Sequence, residues 1–485
     1  MREIRNPVLV AIVVVSLAIG LSSLTRGHFW WDDFASYIMQ AKSILDGNLQ
    51  EFIERNTFTI FQSSFQIGPI AYPWGFPLIL APVYAVTGLN PLALKLPGVF
   101  FFAGFLICLF LVTNKRLTRT ESLLLVSLFA FNPMLLSSLD LILSDIPFLF
   151  FSTLTLLLMI DRKGQSSLLQ NVMLGTVTFL AFFIRTTGII LLASLLTNQA
   201  IRIYQHRRER NEIKTNLRES LQVLLVFGLL WLITSLVFPD GHASYLEQLK
   251  GLTILTFTGN VSAYFFLFGQ FFGEAPAWVY VYLVLFIPFV TGIWARRKDD
   301  PPLIIFFILY LLPLLIWPEW QGIRFIFPLL PLFIYFTFQG ISDLIRRLAE
   351  NKHEIGRIFN YGFWIIILVI FLFDSAGKAY GNLKNNREIN GPFDSYSMET
   401  YDFIKDKTAK DSIIVFFKPR AMRLMTDRDS IMSIECDRML LGDYIVLSRK
   451  VGENSQIPPE RIDECNLPLD RVFQNRRFII YKIWK

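Results

Sequence analysis

"HFWWDDFASY" (28–37) follows directly on "NPVLVAIVVVSLAIGLSSL" (6–24). The second stretch is apolar and about as long as a bilayer crossing requires. The first places two adjacent carboxylates, Asp32 and Asp33, behind two tryptophans where the chain leaves the hydrocarbon. Like charges side by side at such a boundary repel each other and resist desolvation, so they point to function rather than to packing. Arg2 and Arg5 before the apolar run give it the look of a secretory signal. No small-residue cleavage site follows, and the run is long for a signal core, so we read it as a retained first helix.

The rest of the chain supports that reading. Of its 485 residues 53% are hydrophobic, and 47 are Phe. The mean hydropathy is +0.46. The apolar residues come in long runs, which makes this a polytopic α-helical membrane protein. The net charge of +7 lies in short basic clusters between those runs. No basic groove with interleaved aromatics exists, which excludes nucleic acid as a partner. There is no phosphate-binding P-loop, no dinucleotide fingerprint and no zinc-type cysteine or histidine spacing.

The predicted spans are 7–24, 92–113, 121–139, 142–160, 168–184, 186–201, 220–238, 277–294, 302–317, 323–340 and 358–374. They make about eleven crossings. The apolar piece 76–88 is too short to cross, carries Pro77 and Pro82, and reads as a helix along the membrane surface. The charge pattern agrees with this count. The basic loops 114–119, 161–164, 202–210, 295–298 and 345–357 then share one face with Arg2 and Arg5, which is the cytoplasmic one. Asp32, Asp33 and the tail fall outside.

Two domains are expected, a membrane domain over 1–374 with a long first external loop at 25–91, and a soluble α/β domain over 375–485. The tail mixes charged residues with β-type runs at 412–417, 442–448 and 476–483 and a helical pattern at 397–409. Cys436 and Cys465 lie in it. They are either a disulfide, as an oxidising compartment allows, or two buried thiols.

Polar residues gather at four places on the external side. These are the loop 25–91 with Asp32, Asp33 and Tyr37, the turn with Asp140 and Asp145, the span end with Arg185, and "WPEWQGIRFIFPLLP" (317–331) with Glu319 and Arg324. Lys95, at the outer start of its span, joins them. Trp30, Trp31, Trp317 and Trp320 read most simply as interfacial belt residues. Arg185 and Arg324 are either functional cations or side chains snorkelling to headgroups.

Several stretches carry a family resemblance: "DDFASYIMQAKSILDGN" (32–48), "YPWGFPLILAPVYAVTG" (72–88), "KLPGVF" (95–100) and "LSDIPF" (143–148). In this order, and with this membrane placement, the chain resembles the multi-spanning GT-C glycosyltransferases that use polyprenyl-phosphate sugar donors, such as protein O-mannosyltransferases and lipid A aminoarabinose transferases. The resemblance implies an enzyme of a bacterial-type inner membrane that transfers a hexosyl or pentosyl group to an extracytoplasmic lipid, glycan or protein. It puts the catalytic acid on Asp33, by its spacing to Tyr37, or on its neighbour Asp32. Many relatives have Glu where this chain has Phe34, which leaves the choice between the two open. The acid of the second external loop falls on Asp145. No metal or other cofactor is assigned. Arg185, Arg324 and Lys95 are expected to face the donor's phosphate, because a guanidinium fork matches its oxygens. Tyr37, Asp145 and Glu319 complete the expected substrate-binding set.

Two other classes fit part of the pattern. A flippase of lipid-linked sugars would carry charges at mid-span and inverted repeats, and neither is found here. A membrane scaffold would use "KPRAMRLMTDR" (418–428) as a docking surface.

Overall fold

The computed structural model describes residues 6–64, 68–161, 166–240, 251–318, 320–348, 353–385, 387–449 and 457–485. Glu319 and parts of two basic loops, 162–165 and 349–352, lie outside the described residues. A helix falls on each predicted span. Three helices begin with the same dipeptide, Asn-Pro. Asn6, Asn90 and Asn132 turn their side-chain oxygens to accept from the first free backbone N–H groups, and Pro7, Pro91 and Pro133 follow at the first helical position. Proline has no N–H to leave unsatisfied there, and its φ is preset for helix.

That dipeptide also corrects one span. The predicted 121–139 run is divided into Arg119–Ala130 and Pro133–Ser138, because Pro133 starts a new helix capped by Asn132. A second correction concerns 323–340. A single 3₁₀ turn, Ile323–Ile326, precedes a helix that begins only at Leu330 and runs to Leu348. A third difference is the helix Ile254–Leu267, which was not expected, since Thr, Gly and Asn interrupt its apolar run. Among the described residues five helices are long and apolar enough to cross a membrane: Pro91–Thr113, Thr186–Gln205, Asn211–Val237, Ala277–Arg296 and Ile358–Asn385. Five shorter apolar ones accompany them, among them Pro7–Ser23 and Asp145–Ile160. Leu225, Leu229, Leu232 and Leu236 stand exposed along one of the long helices, as side chains facing lipid do.

The last long helix, His353–Asn385, passes the predicted domain boundary at 374. Charged residues there read as loop, but Asp374 and Lys378 pair one helical turn apart at 3.2 Å. Beyond it lies a five-stranded sheet in the order β2-β1-β3-β5-β4, with β1 at Ile413–Val415, β2 at Asp429–Ile431, β3 at Tyr444–Ser448, β4 at Leu469–Gln474 and β5 at Phe478–Ile483. β1 runs parallel to β2 and β3, while β5 runs antiparallel to β3 and β4. The three predicted strands are β1, β3 and β5, and the predicted helix is Ser395–Lys407. β2 is three residues long and begins with Asp429, and β4 carries Asp470 and Arg471, so neither has a clean apolar alternation.

The loop 25–91 folds into three helices, Asp33–Asp46, Leu49–Gln62 and Gly75–Thr87, the last where the short apolar helix was expected. Gly47, at φ 71°, ends the first of them in a left-handed conformation that costs glycine little. The tail is fastened onto this loop. The Ser64 N–H donates to the Met432 carbonyl at 2.8 Å. Arg55 reaches Asp427 and Asp429, each at 2.8 Å. Trp30 is buried, its ring 5.0 Å from that of Phe417 and 6.2 Å from that of Phe478. It therefore pins the tail rather than serving the membrane belt.

Cys436 and Cys465 form a disulfide, which settles the alternative left open above. It closes a loop of 29 residues in sequence separation. Cys465→Ser is expected to lower the stability of the tail by about 3 kcal/mol, read as an earlier first transition in thermal unfolding of the full-length protein in detergent.

Candidate active site

Helix ends place the charges. Asp33 is the first residue of the Asp33–Asp46 helix, and Asp145 the first of Asp145–Ile160. Arg185 stands just past the end of Leu168–Ile184. The helix dipole favours the two acids at N-termini, whereas Arg185 stands between the C-terminus of one helix and the N-terminus of the next. Arg324 comes from the 3₁₀ turn that displaced the start of its helix.

These four residues meet. Arg324 spans both acids, its Nη2 at 3.6 Å from Asp33 Oδ2 and its Nη1 at 3.4 Å from Asp145 Oδ2. Arg185 pairs with the other oxygen of Asp145. The result is a row of alternating charge, Asp33, Arg324, Asp145 and Arg185. Aromatic faces wall it, with the Arg324 guanidinium 4.7 Å over Trp31 and that of Arg185 4.4 Å over Phe325. The contacts of Arg324 are longer than the 2.7–2.9 Å typical of strong charged hydrogen bonds. Its N–H groups are thus weakly committed and open to a third partner. Asp145 is 4% exposed, whereas the Asp33 side chain is 29% exposed and is the acid a solvent-borne group can reach.

Tyr37 donates to or accepts from Ser144, the residue before Asp145, at 2.9 Å, and its ring lies 4.6 Å from that of Tyr72. The Tyr72 hydroxyl donates to Asp33 Oδ1 at 2.8 Å. Burial and the negative charge of Asp33 push the Tyr72 phenol well above its ordinary pKa, so it remains a donor. Tyr72→Phe is expected to reduce turnover about tenfold, the order of one lost hydrogen bond to a charged group, with donor affinity unchanged in a direct binding titration.

Asp32 points elsewhere. The pair lies at a helix start, with Asp32 itself in helical φ and ψ. Asp32 is 7% exposed and faces the fully buried Arg420 of the tail, with Nε at 3.8 Å. That is ion-pair range without a hydrogen bond. Burial raises its pKa, against the pull of Arg420 and Lys418, and the adjacent Asp33 adds to the rise. Arg420 also donates to the Pro69 carbonyl and lies 5.6 Å over the Tyr72 ring. Gly68, at φ 116°, makes room there. A Cβ on it would come within 3.1 Å of the Tyr72 hydroxyl and 3.3 Å of Arg420.

Lys95 is not brought to this row. Its buried ammonium donates to Asp140 at 2.7 Å and to the carbonyls of Thr25 and Gly27 at 2.8 and 2.7 Å, which uses its three N–H groups to hold the start of the loop against the bundle. Beside it the buried His28 accepts from the Ile142 N–H at 3.1 Å, and burial lowers its pKa to about 3, so its ring is neutral. Among the described residues no three His, Cys, Asp or Glu side chains gather as a metal site would need. Tyr72, Ser144 and Arg420 were not singled out from the sequence. Tyr72 stands in the quoted "YPWGFP", whereas Arg420 gave no signal beyond its place in a basic stretch of the tail.

No family model matches the chain, and no curated protein matches it in sequence. Solved structures do match in shape. ArnT from Cupriavidus metallidurans, bound to undecaprenyl phosphate, aligns over 97% of this chain and 97% of its own, with a TM-score of 0.59 and 12% identity. The oligosaccharyltransferase AglB from Archaeoglobus fulgidus, in complex with an inhibitory peptide and a dolichol-phosphate, aligns over 91% of this chain and 69% of its own, with a TM-score of 0.54 and 10% identity. The arabinofuranosyltransferase AftD from Mycobacteria aligns over 98% of this chain and 40% of its own, with a TM-score of 0.54 and 13% identity. The chain therefore has the GT-C fold that its sequence resemblance implied, over nearly its whole length.

Proposed function

We propose that this protein is a membrane glycosyltransferase that moves a sugar from a polyprenyl-phosphate donor to an extracytoplasmic acceptor, with inversion at the anomeric carbon. The observation that carries this reading is the row Asp33, Arg324, Asp145, Arg185 at one edge of an apolar helical bundle. The solved structures of the same fold include one bound to undecaprenyl phosphate and one holding a dolichol-phosphate. An acceptor hydroxyl attacks the anomeric carbon, and its proton passes to the Asp33 carboxylate. The bond from that carbon to the phosphate oxygen breaks, and the electron pair stays on the lipid phosphate. Arg324 and Arg185 take up its charge as fixed donors, with no reorganisation needed. Asp145 holds both arginines in place, and the apolar helices take the isoprenoid. In this reading Lys95 braces the loop and does not touch the donor.

The topology belongs to the same proposal. About eleven crossings, with the N-terminus and basic loops cytoplasmic, put residues 25–91 and the tail outside a bacterial-type inner membrane. The test is transfer by the purified protein from a synthetic polyprenyl-phosphate sugar to an envelope extract, followed by mass spectrometry. Mass spectra of envelope lipids and glycans that stay identical with and without the gene, together with no donor turnover in vitro, would remove the enzyme reading.

A further inference from the structure

Between the loop helices Asp33–Asp46 and Leu49–Gln62 and the tail helix Pro419–Thr426 lies a crevice of about 150 Å³. Three cations, Lys42, Arg55 and Arg423, and three carboxylates, Asp46, Glu51 and Asp427, are among the residues that line it. Arg55 is partly exposed and has Asp427 and Asp429 as counter-charges at 2.8 Å. Arg423 is only 4% exposed. Its Nε reaches the thioether of Met39 at 3.3 Å, its guanidinium lies 5.5 Å from the Phe52 ring centre, and its Nη1 has no hydrogen-bond partner. Burial, and next the charge of Arg55, lower its pKa to about 9, so it is still charged at neutral pH. The charges of Asp429 and Asp427 offset the burial of this cation only in part, and both acids are already paired with Arg55. Such an arrangement is expected where an anion completes the site.

We infer that this crevice holds a phosphate group of the acceptor, with the Arg423 guanidinium and the exposed Lys42 ammonium as its contacts. This rests on the function proposed above. A guanidinium fork beside a point-charge ammonium suits the tetrahedral oxygens of phosphate. Lys42 is carried on the same rigid helix as Asp33. At a helical rise of 1.5 Å per residue it lies roughly 13 Å along the rod, a span of one or two sugar rings. An acceptor phosphate held there would present a hydroxyl to Asp33 while leaving Arg324 and Arg185 to the donor.

The test uses the full-length protein in detergent, with inorganic phosphate as the probe. Phosphate is expected to raise the melting temperature of the wild type, because it binds the folded state. Arg423→Met is expected to melt higher than wild type without phosphate, because the partly compensated buried charge is gone, and to lose most of the phosphate-dependent rise. Lys42→Gln, at an exposed position, should keep its fold and bind phosphate about tenfold more weakly, the order of one charged contact. Because the row of Arg324 and Arg185 is itself read as a phosphate site, the rise is also measured in an Arg324→Ala background, where Lys42→Gln should still weaken it. In the transfer assay with envelope extract, Lys42→Gln should raise the apparent KM for acceptor and leave that for donor unchanged. A wild type whose melting temperature ignores phosphate, or a Lys42→Gln variant with wild-type phosphate affinity, would overturn the site. A rise in donor KM would overturn its assignment to the acceptor. Binding is read without transfer, so a failure of the enzyme reading leaves the melting result interpretable.

Discussion

Asp33→Asn is expected to lose turnover by about 10²–10⁴-fold, the usual contribution of a positioned base, while the protein still folds and binds donor. The amide keeps the shape of the side chain and can still accept from Tyr72, which holds Asp33 Oδ1 at 2.8 Å. It has no basic oxygen for the acceptor's proton. Asp32→Asn should stay within about tenfold of wild type, because Asp32 faces Arg420 and lies away from the row of site charges. Stability separates the two further. Burial raises the pKa of Asp32. Its contribution to folding is therefore full below the ordinary carboxylate range and is lost as pH rises through the raised value. The melting temperature of Asp32→Asn relative to wild type should accordingly be higher at pH 8 than at pH 4. Near-normal transfer by Asp33→Asn, with transfer abolished in Asp32→Asn, would exchange the two roles.

Arg324→Ala is expected to cost roughly 2–5 kcal/mol in transition-state stabilisation, the range for truncating one partner of a hydrogen-bonded charge pair. Arg324→Lys should recover only part of it, since an ammonium cannot bridge two acids as a planar fork does. The guanidinium links Asp33 and Asp145 through contacts of 3.6 and 3.4 Å, so the fold depends on it little. Its melting temperature should remain close to wild type. Arg185→Ala should differ. It strips the nearest counter-charge from Asp145, which is 4% exposed, and so should lower both activity and melting temperature. The measurement is kcat/KM for donor alongside thermal unfolding. Unchanged kinetics in Arg324→Ala would take it out of the site.

The parts of this arrangement that were legible in sequence are those set by local pattern. Long apolar runs gave the helices, and Asp33, Asp145, Arg185 and Arg324 were visible as charges at the edges of such runs. Lys95 looked the same in sequence, but its three N–H groups are taken by Asp140 and two carbonyls, a choice made by packing. Trp30 likewise fits a membrane belt by type, and only the approach of Phe416, Phe417 and Phe478 from the tail shows its use. The contacts of Asp32 with Arg420, and of Arg423 with Met39, join the two ends of the chain, and nothing in one end announces the other. The interrupted span at Asn132-Pro133 was readable in principle, since the same dipeptide opens two other helices.

The fastening of the tail onto the first loop has a consequence for how the protein is made. The ribosome delivers Asp33 early and Arg420 late. Until the tail has been made, the loop lacks the Ser64–Met432 hydrogen bond, the Arg55 ion pairs and the seat for Trp30. Tyr72 also lacks the arginine beneath its ring. A nascent chain stalled in the membrane thus carries every acid and cation of the row but not the clamp that orients them. Assembly of the centre is therefore tied to delivery of the tail, and a polypeptide that lacks it holds the charges without the clamp.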